Sequence, residues 1–179
     1  MAVLRARLAK MEADHHNLVT VLKAIQYEYG LRTPDCPAGW TLARNFGPTT
    51  NICVRLFEDK MDWEEAVATC KETTGGQSVG LFNPKNATLN RKLLNLIRGR
   101  ADVVWIGLNA QYQKNHYKWL DQSWPFQEHY TNWKEGEPPA DPPDHYDCVA
   151  EDHGKWKVYD CRHDKLPYVC MLYFFRGLF

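Results

Sequence analysis

The sequence predicts an α+β domain that is held together by disulfide bonds and preceded by a long helix. Three observations predict it. Short apolar runs typical of strands are interspersed with two helical patterns. Six cysteines are present without the CxxC spacing of zinc or redox motifs. The first 30 residues repeat apolar side chains every three or four positions. At 179 residues, the chain is long enough for one buried domain plus an appendage. We expect a neck over residues 1–30 and the domain over residues 31–179.

Charge and hydropathy exclude several classes of partner. Lys+Arg and Asp+Glu are both 22, so there is no basic field for nucleic acid. No apolar run is long enough to span a membrane, and Met1–Ala9 is too charged for a secretion signal. We therefore expect a piece of a longer protein, attached to a membrane only if an upstream segment supplies the anchor.

A heptad pattern organises residues 1–30. One set of seam positions is Leu4, Met11, Leu18 and Ile25, and the other is Leu8, His15 and Leu22. This pattern favours a self-associating, parallel neck over an amphipathic helix that lies on the domain. It does not separate a dimer from a trimer. Gly30 and Pro34 end the helix.

The cysteine count indicates disulfides. The six residues are Cys36, Cys53, Cys70, Cys148, Cys161 and Cys170. They leave about 15 pairings open. Paired thiols indicate an oxidising compartment, so we expect the chain to be secreted or to be part of an ectodomain. The sequon at Asn86 is a candidate glycosylation site that fits this compartment.

The first half of the domain reads as a hairpin followed by a helix. Cys36–Trp40 and Asn51–Phe57 flank a turn-rich segment, which is typical of a hairpin. Asp62 then precedes a helix over Trp63–Glu72, with Glu65 placed for a capping box.

A second helix and a central strand follow. Asn86 can cap a helix that starts near Ala87 and ends at Gly99. Val103–Leu108 is an unbroken β-branched and aromatic run, typical of a buried strand, and its Gly107 permits a close approach.

The second half contains a long irregular segment. Tyr117–Leu120 is a plausible antiparallel partner of the central strand. Asp121–Asp147 lacks a regular pattern, which favours a functional loop. Three further short strands follow: Cys148–Glu151, Lys155–Val158 and Tyr168–Leu172.

Several short motifs follow one another along the chain. They are Trp105-Ile106-Gly107-Leu108, Asn132-Trp133, Gly136-Glu137-Pro138, Asp147-Cys148-Val149, Gly154-Lys155-Trp156 and Leu166-Pro167-Tyr168-Val169-Cys170. With the cysteines, they make residues 36–172 resemble the C-type lectin-like domain. The resemblance implies two helices flanking two small antiparallel sheets, a long loop and a cis Pro138. It also implies the pairs Cys36–Cys53, Cys70–Cys170 and Cys148–Cys161.

The family's calcium and sugar site is degraded in this sequence. The family takes oxygen ligands from a Glu-Pro-Asn or Gln-Pro-Asp motif, from a Glu before Asp-Cys and from an Asn-Asp pair after the strand tryptophan. The corresponding residues here are Glu137-Pro138-Pro139, Tyr146 and Lys157-Val158. One remaining carboxylate beside a lysine cannot hold a hard divalent ion.

The auxiliary calcium position is altered too. Ala110, Lys114 and Ala140 stand where the family uses acids, which leaves Asp147. We expect no metal and no cofactor.

The altered loop remains the candidate ligand-binding surface. Its residues are Glu137, Asp144, Tyr146, Asp147, Lys157 and Tyr159, of which Tyr146, Lys157 and Tyr159 are expected to be exposed. The other carboxylates of this region are expected to be solvated or to form an acidic contact surface for a cationic partner. They are Glu135, Asp141, Glu151 and Asp152.

The predicted function is recognition or adhesion through a protein partner, with the neck providing assembly and avidity. The alternative is a lectin that binds glycans without calcium or through a rearranged site, with Trp124, Tyr130 and Tyr146 stacking on sugar rings. An enzyme is not expected, because the sequence has no nucleophile elbow, HExxH motif or phosphate loop.

Association through the neck is expected to weaken below about pH 6.5, because a protonated His15 would place charge in the seam. Sedimentation of the chain at two pH values measures this. An unchanged species across that range would contradict the prediction.

Overall fold

A computed structural model describes residues 36–43, 50–73, 80–121 and 130–175, and seven single positions between residues 7 and 21. The chain divides into two compact units, Met1–Asp35 and Cys36–Phe179. In the first unit the seven described positions are helical and exposed, Met11 and Leu18 among them. The seam position His15 is also helical and exposed, whereas the seam positions Leu4, Leu8, Leu22 and Ile25, and also Trp124, lie outside the described residues. Among the described residues, no helix is long and apolar enough to cross a membrane.

The described residues of the second unit form two helices and eight strands. The helices are α1 (Trp63–Thr73) and α2 (Ala87–Ile97). The strands are β1 (Thr41–Ala43), β2 (Thr50–Met61), β3 (Gly80–Leu81), β4 (Val103–Asn109), β5 (Lys118–Trp119), β6 (Cys148–Asp152), β7 (Lys155–Tyr159) and β8 (Leu166–Phe175). Within this unit the predicted helices and strands are present within a few residues of their expected bounds, except that the first strand of the hairpin is Thr41–Ala43 and not Cys36–Trp40.

The strands form one hydrogen-bonded sheet in the order β1-β2-β8-β4-β6-β7, with β3 beside β8 and β5 beside β4. Every pairing is antiparallel except that of β4 with β8, which consists of the single parallel pair Trp105–Tyr168. The two antiparallel groups that the resemblance implies are therefore joined at this one point.

Strand β4 separates the two clusters of the core. Val104, Ile106 and Leu108 pack in one cluster, whereas Trp105 packs in the other, because alternate side chains of a strand point to opposite faces. Gly107 is required at its position: a Cβ there would lie 1.9 Å from Oδ1 of Asn83. The close approach predicted over this glycine is thus made by an asparagine side chain.

Both helix starts are capped as the sequence indicates. The Asp62 carboxylate accepts a hydrogen bond from the Glu65 amide at 2.9 Å, and the Asp62 amide donates to Glu65 at 3.3 Å, which completes a capping box. The Asn86 side chain accepts from the Leu89 amide at 2.9 Å. Gly99 adopts a φ of 72° just after α2, a left-handed conformation that favours glycine.

The three disulfides are those that the resemblance implies: Cys36–Cys53, Cys70–Cys170 and Cys148–Cys161. The second joins α1 to β8 across 100 residues of sequence. Closing a loop of that length contributes about 4–5 kcal/mol in the chain-entropy account. The third joins the start of β6 to the segment after β7, so it fixes one side of the loop region.

Two carboxylates that were read as parts of a solvated loop are buried instead. Glu151 is 0% exposed and Asp152 is 5% exposed, and both belong to β6. The expectation was wrong because β6 is covered on both faces, so its residues do not alternate between core and solvent. Burial raises the pKa of Glu151 to about 7, although the nearby Asn90 amide and Gly154 backbone offset part of the effect.

Glu151→Gln is expected to stabilise the protein at pH 8 and to have little effect at pH 4.5. The folded state binds a proton that the unfolded state releases above its pKa of 4.5, so wild-type stability falls as pH rises from 4.5 to about 7. At pH 8 the free energy of unfolding of Glu151→Gln should exceed that of the wild type by at most about 3 kcal/mol. Urea unfolding at the two pH values measures it.

Glu135→Gln is the matched control, because Glu135 is exposed. It should change stability by less than about 0.5 kcal/mol at either pH. A Glu151→Gln protein that is less stable than the wild type at pH 8 would refute the argument.

Candidate functional site

The described part of the long loop is anchored on Trp156 of β7. The Lys134 amide donates to the Trp156 carbonyl at 2.9 Å, and the Trp156 amide donates to the Asn132 carbonyl at 2.8 Å. The rings of Tyr130 and Trp133 meet the Trp156 ring edge-on, with centroids 5.6 and 5.7 Å away. The loop therefore rests on an aromatic cluster that does not depend on a bound ion.

Glu137, the remaining acid of the sugar-site motif, contacts the protein itself. Its Oε2 accepts a hydrogen bond from the Val158 amide at 3.0 Å, and the side chain is half-buried. The peptide bond to Pro138 is cis, as the resemblance implies. This carboxylate therefore links the loop to β7 with one of its two oxygens.

Lys157 and Tyr159 form a cationic and aromatic pair beside Glu137. The Lys157 ammonium lies 4.8 Å from the centroid of the Tyr159 ring. The Tyr159 hydroxyl donates to Asp152 at 3.2 Å. Burial, followed by the charge of Asp152, raises the pKa of Tyr159 to about 12, so the hydroxyl stays neutral at physiological pH. The expectation of full exposure was wrong for both residues, which are half-buried.

A second group of charges surrounds Lys114. Its ammonium lies 2.8 Å from Asp141, and the carboxylates of Asp144 and Asp147 are close enough to raise its pKa further after the Asp141 hydrogen bond. The same bond lowers the pKa of Asp141. Burial raises the pKa of Asp147, an effect that Lys114 and His145 partly offset. A lysine thus lies among three carboxylates at the auxiliary calcium position that the resemblance implies.

Hydrogen bonds between uncharged groups also connect the segment around Lys114 to the loop. The Asn115 side chain donates to the Ala140 carbonyl at 2.9 Å, and the Ala110 amide donates to the Asp147 carbonyl at 2.8 Å. A shallow cavity of about 310 Å³ opens between the two segments. Its lining consists of Ala110, Gln111, Tyr112, Gln113, Lys114, Pro143, Asp144, His145 and Asp147.

The structure places the predicted ligand-binding residues in two separate groups. Asp144 and Asp147 line the cavity beside Lys114. Glu137, Lys157 and Tyr159 lie at β7. Tyr146, also expected to be exposed, is half-buried and packs against the larger core cluster.

Sequence reasoning missed the role of Tyr117, which was assigned only to a strand. Its side chain is buried, and its ring meets Trp133 edge-on at 5.1 Å. Burial raises the pKa of Tyr117, and the charges of Asp147 and Glu137 add to the effect. Tyr117 is therefore close to both groups of candidate residues, the one at the Lys114 cavity and the one at β7. Among the described residues, no group of three or more histidine, cysteine, aspartate or glutamate side chains could hold a metal ion.

The sequence model of the Lectin C-type domain family matches residues 59–172. A C-type lectin of Cerberus rynchops is 29% identical over 146 residues, which cover 79% of this chain and 85% of the relative. The snaclec botrocetin subunit beta of Bothrops jararaca is 28% identical over 141 residues, which cover 76% and 97%. Among solved structures, the human scavenger receptor C-type lectin carbohydrate-recognition domain aligns with a TM-score of 0.61 and 26% identity, over 76% of this chain and 98% of that one.

Glu137→Ala is expected to lower the free energy of unfolding by about 1–2 kcal/mol, because the Val158 amide loses its acceptor. The loss should be the same in calcium and in EDTA. Urea unfolding in the two buffers measures it.

Glu135→Ala, an exposed glutamate of the same loop, is the control and should leave stability unchanged within about 0.5 kcal/mol. If the Glu137→Ala loss were present in calcium and absent in EDTA, Glu137 would be a metal ligand, contrary to this account.

Proposed function

The chain belongs to the C-type lectin family, and from that premise we propose that it is an extracellular recognition module that binds its partner without calcium. C-type lectin domains bind glycan or protein ligands. The family is one of binding proteins, which accords with the expectation that this chain is not an enzyme. The three disulfides support an oxidising, extracellular location.

The observation that carries the proposal is the position of Lys114. A calcium ion needs six to eight oxygen ligands. Here the ammonium, 2.8 Å from Asp141, supplies positive charge to the same carboxylates that would otherwise attract a cation. Because the lysine is covalently part of the chain, this charge does not depend on calcium concentration.

The second calcium position supports the same proposal. The Glu137 carboxylate already accepts a hydrogen bond from the Val158 amide of β7, the strand that also carries Lys157. A cation there could use only the remaining carboxylate oxygen of Glu137, far short of the six to eight oxygen ligands that calcium needs. At both positions, groups of the protein itself thus engage the carboxylates that calcium would need.

We assign partner binding to the loop surface around the Lys114 cavity and the end of β7. The cavity is lined by Lys114, Asp144 and Asp147, and β7 carries Lys157, so the proposed surface presents charges of both signs. Such a pattern fits a protein partner with complementary charges better than a neutral sugar. Tyr112, 90% exposed at the cavity rim, supplies apolar contact area.

Two further features belong to the proposal. Asn86 caps α2 with Oδ1, so a glycan on Nδ2 would leave the cap intact. The neck over residues 1–30 would join copies of the chain and raise avidity. The exposed helical positions Met11 and Leu18 agree with an unfilled seam in a single chain.

A calcium-independent lectin is the second candidate, because the aligned human scavenger receptor structure is described as a carbohydrate-recognition domain. A glycan array probed with and without EDTA distinguishes the two. We expect no specific glycan in either buffer. Specific glycan signals that survive EDTA would favour the second candidate, and signals that EDTA abolishes would contradict both.

Calcium at about 5 mM should not change the stability of the wild type, whereas a site of about 10 μM affinity would add about 4 kcal/mol. Lys114→Glu is expected to create a weak calcium site, because it removes the ammonium and adds a fourth carboxylate. With an affinity near 1 mM or somewhat tighter, the gain in stability would be about 1–2 kcal/mol. Urea unfolding with and without calcium measures both.

Lys60→Glu, the same charge reversal at an exposed position of β2, is the control and should give no calcium response. Lys114→Met separates removal of the ammonium from addition of an acid and should respond less than Lys114→Glu. Stabilisation of the wild type by calcium would overturn the proposal.

A further inference from the structure

A larger cavity lies between the β1–β2 hairpin and the flank of α2, away from the loop surface. Its volume is about 580 Å³, within the range of small-molecule sites. It is lined by Thr41, Leu42, Ala43, Val54, Phe82, Lys92, Leu93, Asn95, Leu96 and Val169. Neither the proposed recognition surface nor the disulfides involve this cavity.

The lining is apolar inside and polar at its mouth. Ala43, Val54, Phe82, Leu93 and Val169 are buried members of the larger core cluster and form the floor. Thr41 and Asn95 are exposed, and Leu42 and Leu96 are half-buried, so these residues lie nearer the opening. An apolar cavity of this size favours occupancy by an apolar group over water, because water would find few polar partners there.

Among the described residues of the lining, Lys92 is the one that carries a charge. It is half-buried, and burial, followed by the neighbouring Arg91 charge, lowers its pKa. No carboxylate among the described residues forms an ion pair with it. An ammonium with reduced access to water favours an anionic partner that can replace the lost hydration.

We propose that this cavity binds a single-chain anionic amphiphile, with the aliphatic chain on the floor and the carboxylate beside Lys92. The apolar floor, the Lys92 ammonium and the open mouth together match a fatty-acid type of ligand. A peptide would have to bury its backbone amides against a lining whose described residues offer two neutral polar side chains, those of Thr41 and Asn95. The ligand is bound as a free monomer rather than as part of a bilayer.

The test uses the full chain and dodecanoate as the probe, below its micelle concentration, with binding measured by calorimetry. Saturable one-to-one binding is expected, and affinity should rise by up to about fourfold per methylene from octanoate to dodecanoate as more of the chain is buried. Dodecanol, which has the same chain and no charge, should bind about tenfold more weakly because it lacks the charged contact to Lys92.

Three variants locate the ligand. Lys92→Glu should reduce dodecanoate affinity at least tenfold and leave dodecanol affinity unchanged within about twofold. Lys60→Glu, the same reversal on exposed β2, should change neither. Leu96→Trp fills the cavity from α2 and should abolish binding of both probes. Leu42→Trp fills it from β1, and circular dichroism identifies which of the two filled variants is folded.

The outcomes decide the proposal. Absence of dodecanoate binding by the wild type would overturn it, and so would full affinity in a folded, filled variant. Equal loss in Lys92→Glu and Lys60→Glu would show general charge attraction and would also overturn it. Co-sedimentation with anionic phosphatidylserine vesicles, without binding of the monomeric probe, would assign the surface to a membrane and contradict the proposal.

Discussion

The structure depends on strand β4 being enclosed from both faces while its neighbours hydrogen-bond to it. Two tryptophans enforce this arrangement. The Trp63 indole donates to the Ile106 carbonyl at 3.0 Å, and the Trp105 indole donates to the Met61 carbonyl at 2.8 Å. The first bond fixes α1 to β4 and the second fixes β4 to the end of β2. Because each bond pairs an indole donor with a carbonyl of another element, a shift of α1 or of the end of β2 away from β4 would leave that donor without its acceptor.

The close approach at Gly107 completes this enclosure. The Gly107 amide donates to the Phe82 carbonyl, and the Leu120 amide donates to the Gly107 carbonyl, each at 2.9 Å. The segments on both sides of β4 are therefore tied to a residue that has no side chain. Any larger side chain would collide with Asn83, so the loop above β5 and the link before α2 both depend on this position. The contacts at Gly107 therefore position the start of the long loop without a bound ligand.

The sequence predicted those features of the structure that depend on contacts between residues close together in the chain. The capping box at Asp62, the cap at Asn86, the helix end at Gly99 and the unbroken buried run of β4 follow from neighbours within a few residues, and the sequence predicted them. The disulfides followed from the resemblance. The burial of Glu151 was not predictable, because it results from tertiary packing that covers both faces of β6 and leaves no mark in the local sequence. The pairing of Lys114 with Asp141, 27 residues apart, was equally beyond a local pattern, although the replacement of acids by lysine was visible.

An exposed ion pair such as Lys114–Asp141 contributes little to stability, typically below 1 kcal/mol, so it cannot be what holds the loop in shape. The shape must come from the aromatic contacts on Trp156 and the disulfide at Cys148. In the proposed recognition surface the charges would then have a different role: they would set which partner is attracted and in what orientation, while affinity would come from buried apolar area. Tyr112, the most exposed of the large hydrophobic residues that the structure describes, lies beside that charge pattern. A partner that covered it would gain apolar contact at the point where the charges have already oriented the encounter.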